Sequence, residues 1–143
     1  MKNPFKSWFI KTLFGSFLLL AASNCKSDPS PRYEDFDEED FLMVPGIVIK
    51  KTRTPIVGGR GWYEYNIHYA YNLDSDTVLV GKEMDVELAV SEGDGIYVLV
   101  HKEDENVSFL AGGRILPSQE HIIENYLEKS KEHGVKYYGV QIE

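Results

Sequence analysis

Apolar and polar residues alternate most strictly between positions 62 and 71. There Tyr63, Tyr65, Ile67, Tyr69 and Tyr71 fall on one side, and Trp62, Glu64, Asn66, His68 and Ala70 on the other. A period of two sustained over this length predicts a strand with one buried and one wetter face. Shorter β-branched or alternating runs occupy 47–52, 77–80, 86–90, 96–100 and 107–110. Glycine-rich or polar clusters at 58–61, 72–76, 92–95 and 102–106 separate them as turns. The spacing changes after Pro117. Ile122, Ile123, Tyr126 and Leu127 form a stripe at helical spacing, with Glu120 near the start and Lys129, Lys131 and His133 before Gly134. These features predict a helix over 118–133, followed by a final strand over 135–142. The fold class is therefore mainly β, a small antiparallel barrel or sandwich, with one C-terminal helix and a final strand.

Gly46-Ile47-Val48, the aromatic run 63–69, the Gly93-Asp94 turn before the apolar run 96–100, and Ser108 beyond it form a recognisable set. On these residues the chain resembles an uncharacterised family of small bacterial β-domains, common in membrane-attached proteins. The resemblance spans roughly residues 46–110 and implies a fold, with no activity attached to it.

The N-terminal pattern is different. Lys2, Lys6 and Lys11 precede an apolar run over 12–22, and no acidic residue occurs before Asp28. This is the layout of an export signal, too short and too interrupted by Lys11 for the ~20 apolar residues of a membrane-spanning helix. Ala22-Ser23-Asn24 leads to Cys25, the only cysteine of the chain. Here the sequence resembles bacterial lipoproteins, in its looser lipobox a spirochaete-like one, with Ala22 and Asn24 in place of the commoner Leu and Gly or Ala. The resemblance covers residues 1–26 and implies cleavage before Cys25 and acylation of it by chains such as palmitate. It also implies attachment to a membrane of the cell envelope. Lys26 stands where an enteric lipoprotein retained at the inner membrane would carry Asp, which favours the outer membrane or the surface. With Cys25 acylated, no disulfide is available to the fold.

The expected organisation is thus a signal peptide (1–24), a lipidated Cys with an acidic tether (25–40) and a β-rich domain (41–143). About 119 residues remain after the leader. Loss of its three lysines leaves 12 of the 15 Lys and Arg against 23 Asp and Glu, a formal charge of −11. Nucleic acid needs clustered cations and is a poor partner for such a chain. An anionic bilayer repels it too, so the lipid alone accounts for membrane attachment. Seven acids and two prolines in residues 26–40 read as a disordered spacer, roughly 20 Å across as a coil.

Few residues offer chemistry. Glu64, Asn66 and His68 share a strand face, a pattern that can supply a carboxylate and an imidazole to a metal or an acid–base site. His121 and Glu124, three apart on the helix, form a second such pair. Neither has a cysteine or a second nearby histidine to complete a closed site. Gly58-Gly59-Arg60-Gly61 lacks the Gly-Lys-Ser/Thr ending of a phosphate loop and precedes a strand, so it reads as a hairpin tip. No Gly-x-Ser-x-Gly elbow is present. Arg60 and Trp62 at that tip are the residue types that dominate binding hot spots. The sequence is therefore read as a non-catalytic, membrane-anchored binding module for another protein or an extracellular ligand, with no cofactor, its candidate residues being Arg60, Trp62, Glu64 and His68. The alternative is a small metal-binding protein or hydrolytic enzyme of the envelope.

Overall fold

The alternating segment becomes strand β2 (Tyr63–Tyr71) of a five-stranded sheet in the computed structural model, which describes residues 30–55, 63–114 and 117–141. The other strands are β1 (Phe41–Pro55), β3 (Leu79–Val86), β4 (Gly95–His101) and β5 (Ser108–Arg114). Their order is β3-β2-β1-β4-β5 with every neighbouring pair antiparallel. Three consecutive strands followed by a fourth that returns beside the first make a Greek key. The sheet curls into a half-barrel, the mainly-β class expected from the sequence.

β1 is the organising strand and is longer than the apolar run 47–52 that announces it. Residues 41–47 pair with β4 and residues 46–55 with β2, so the two ladders overlap at Gly46 and Ile47. Gly46 is required at that junction: a Cβ there would lie 2.6 Å from Val98 Cγ2 and 2.8 Å from the Ala70 carbonyl oxygen. A bulge between Val48 and Lys50 then lets β1 bend with the sheet.

Each face of the sheet has its own core. Val48, Ile67, Tyr69, Tyr71, Ile96, Val98 and Val100 fill the concave side. On the convex side Ile47, Ile49, Ala70 and Leu73 lie under helix α1 (Pro117–Glu132), meeting Ile123 and Tyr126. Pro117 suits the first helical position, where no N–H is needed. Glu120 in the first turn and Lys129 and Lys131 in the last complement the helix dipole. Gly134, at φ +67°, closes the helix with its N–H on the Lys131 carbonyl.

Three expectations are corrected. The runs 77–80 and 86–90 are not two strands: Leu79–Val86 is one, continuous through Gly81 and irregular at Asp85, which adopts φ +60°, and residues 87–90 leave the ladder after Val86. The final strand is absent from 133–141, which forms turns. Its central backbone is already spent on the helix. Tyr138 N–H donates to Ser130 Oγ (2.8 Å) and its carbonyl accepts from Tyr126 Oη (2.8 Å), while Gly139 turns the chain at φ +74°. The acidic run also divides. Residues 33–35 and 38–40 are single 3₁₀ turns, and Tyr33 and Phe36 stack on Phe41 and Phe109, with Phe36 also on His101. Lys102 N–H donates to the Asp40 carbonyl (2.8 Å), tying the segment to the turn after β4.

Candidate functional site

Residues 87–95 are positioned by β1. At the bulge, Val48 N–H donates to the Asp94 carbonyl (2.9 Å) and Gly93 N–H to the Val48 carbonyl (2.8 Å). Lys51 then holds the loop twice: its N–H donates to Glu92 Oε1 (3.2 Å) and its ammonium to the Val90 carbonyl (2.6 Å). That ammonium also lies 3.7 Å from the centre of the Tyr65 ring. So fixed, the loop stands opposite α1 and leaves a cleft of about 590 Å³ between them.

The cleft is apolar at its base and acidic at its rim. Leu88, Val90, Ile123 and Leu127 supply the apolar surface, while Glu120 and Glu124 project from α1 and Asp94 from the loop. Ser91 N–H donates to Asp94 Oδ2 at 2.7 Å and fixes that carboxylate. At one end Lys136 Nζ meets Glu92 Oε2 at 3.1 Å, linking the tail after α1 to the loop. The Lys51 N–H and, next, Lys136 hold the Glu92 carboxyl below its ordinary pKa.

The residues singled out in the sequence are arranged otherwise. Glu64 and His68 do share the convex face of β2, but four residues along a strand is about 13 Å, too far to act on one atom. His68 stands in register between Lys50 of β1 and Lys82 of β3. Burial first, and then the Lys82 and Lys50 charges, lower its pKa, and the same charges repel a metal cation. Burial, followed by the Asp85 and Glu87 carboxylates, raises that of Glu64. Between them Asn66 donates to Thr54 Oγ1 (3.1 Å) and accepts from Asp85 N–H (3.4 Å), a structural role. His121 is exposed, and of the helical pair only Glu124 borders the cleft. Among the described residues no three His, Cys, Asp or Glu side chains converge as metal ligands, and no helix is long and apolar enough to cross a membrane. Cys25, Arg60 and Trp62 lie outside the described residues.

Sequence reasoning missed the cleft because its walls come from segments some 30 residues apart. The usable signal was small: Glu120, Ile123, Glu124 and Leu127 recur at i, i+3, i+4 and i+7, so one helix face mixes apolar and acidic residues.

Compared with family models, curated proteins and solved structures, the chain matches none.

Proposed function

We propose that this chain is a lipid-anchored, non-catalytic binding module of a bacterial cell envelope, taking its ligand in the cleft between α1 and residues 88–95. The make-up of that cleft carries the reading. It has the volume of a small-ligand site, with apolar and polar surface in about equal parts. The charged groups among its described lining residues are exposed carboxylates, and neither His121 nor Ser91 lines it, an arrangement suited to holding a ligand more than to transforming one. The separation of Glu64 from His68 speaks against a metal or hydrolytic site built on that pair. Membrane attachment rests on Cys25 and the leader that precedes it.

Thermal unfolding of the full chain with fractionated envelope extract tests the reading, because a ligand that binds only the folded state raises the midpoint. The expected result is a fraction that stabilises the natural sequence and leaves Ala89→Trp, which fills the cleft mouth, unmoved. An equal shift in both, or none with any fraction, counts against the cleft. A fraction whose active component is chemically altered after incubation would favour the hydrolytic alternative.

A further inference from the structure

The distribution of charge around the cleft restricts what can occupy it. Leu88, Val90, Ile123 and Leu127 offer a surface only an apolar body would cover. Glu120 and Glu124 stand one helical turn apart, about 6 Å along the axis, with Asp94 on the facing wall. Among the described residues no Lys, Arg or His lines the cleft, and Lys136 nearby is engaged by Glu92. An anionic ligand meets three carboxylates and a chain of strongly negative net charge. A neutral apolar one shields carboxylates from water and gives nothing back. A polyamine without an apolar body leaves the base of the cleft wet.

Resting on the binding-module reading above, we infer that the ligand is a small organic cation with an apolar body, an amine whose hydrocarbon part lies on Ile123 and Leu127. Its ammonium sits among Glu120, Glu124 and Asp94. The cleft volume, about 590 Å³, falls in the range of small-molecule sites. The negative field of the whole protein draws a cation toward it, and added salt weakens that attraction. Both parts of the ligand are needed. The hydrocarbon supplies affinity by leaving water, and the ammonium keeps the rim carboxylates solvated by charge as they lose water.

The test is an NMR titration of the full chain with n-hexylammonium, with n-hexanol and hexanoate as matched probes. The amine should give saturable shifts confined to residues 88–95 and 120–127, with hexanol binding at least tenfold more weakly and hexanoate not at all. Glu120→Gln with Glu124→Gln should weaken the amine at least tenfold and leave hexanol unchanged. Both side chains are exposed, so an unaltered thermal midpoint verifies that the variant still folds. Hexanol binding as tightly as the amine, saturable binding of hexanoate, or shifts outside these segments would overturn the assignment. If the amine fails while an envelope fraction still stabilises the natural chain and not Ala89→Trp, the cation assignment falls alone and the binding module stands. If both fail, both fall.

Discussion

Tyr69 lays its ring directly over Gly81 on the neighbouring strand, where a Cβ would sit 2.4 Å from the ring carbons. The glycine lets the ring pass, and the Tyr69 hydroxyl reaches β5 on the far side of the half-barrel. There it donates to the Ser108 carbonyl (3.0 Å) and lies 3.2 Å from Ser108 Oγ. Tyr71 makes the parallel reach, its hydroxyl donating to the Glu105 carbonyl at 2.7 Å. Strand β2 is thus joined by side chains to β5 and to the turn before it, where no ladder links them. Gly81→Ala should destabilise the protein by about 1–3 kcal/mol through overpacking. Tyr69→Phe keeps the packing and should cost about 1 kcal/mol. Urea unfolding of each variant checks both values, and a neutral Gly81→Ala would contradict this account of the closure.

Glu83 links the edge strands β3 and β5 directly, its Oε1 accepting from Leu110 N–H at 3.3 Å. Burial raises its pKa above the ordinary 4.5, outweighing that hydrogen bond, which lowers it. The folded protein therefore holds this proton more tightly than the unfolded chain. The stability that follows is present below about pH 4.5 and is lost as pH rises through the folded-state value. Glu83→Gln retains the acceptor without the charge. It should raise the urea midpoint at pH 7 and flatten its pH dependence above pH 4.5.

Ser130 is 1% exposed, donates to the Tyr126 carbonyl (2.9 Å) and accepts from Tyr138 N–H. Ser130→Ala leaves that N–H without its partner, at a cost of about 1–3 kcal/mol. The damage should be local. Amide exchange should accelerate at Tyr138 and its neighbours in 135–141, with the strands protected as before.

Lys136 contributes only part of the shift at Glu92, behind the Lys51 N–H. A carboxylate held below its ordinary pKa adds stability above the unfolded value, lost as pH falls through the folded one. In Lys136→Met the Glu92 carboxyl should titrate higher than in the natural chain yet still below 4.5. A carbon-detected NMR titration reads this directly, and a full return to the ordinary value would remove the Lys51 contact from the account.

Phe36 sits 5.2 Å from His101, 5.7 Å from Phe41 and 6.1 Å from Phe109 between ring centroids. Aromatic pairs contribute about 0.5–1.5 kcal/mol each. Phe36→Ala should raise the rate of chymotryptic cleavage within 33–41 roughly tenfold, the factor that about 1.4 kcal/mol implies. Unchanged cleavage would mean that the acidic segment is not held by its rings.

These contacts mark where the sequence could be read and where it could not. Period two placed Ile67, Tyr69 and Tyr71 on the buried face of β2, because a strand's two faces are set by local geometry alone. The helix was legible for the same reason. Gly81 misled, since a glycine inside an apolar run looks like a break unless the ring above it is known. Tyr33 and Phe36 were lost in an average dominated by seven acids. The strand expected over 135–142 has the right alternation, but Ser130 and Tyr126 compete for its backbone from a helix that only the tertiary fold brings near. Of the candidate site, Glu124 alone was visible in advance, because the cleft exists only where two distant segments face each other.

The chain enters the domain through β1, the central strand of the sheet, with β2 on one side and β4 on the other. A pull arriving along the N-terminal segment must first undock Tyr33 and Phe36 and then open the β4 ladder over residues 41–45 before it reaches Gly46 and Ile47, where β2 pairs as well. Mechanically, the domain is gripped by its centre and not by an edge. Load transmitted from that side meets the β4 ladder first and the β2 ladder after it, on one continuous strand.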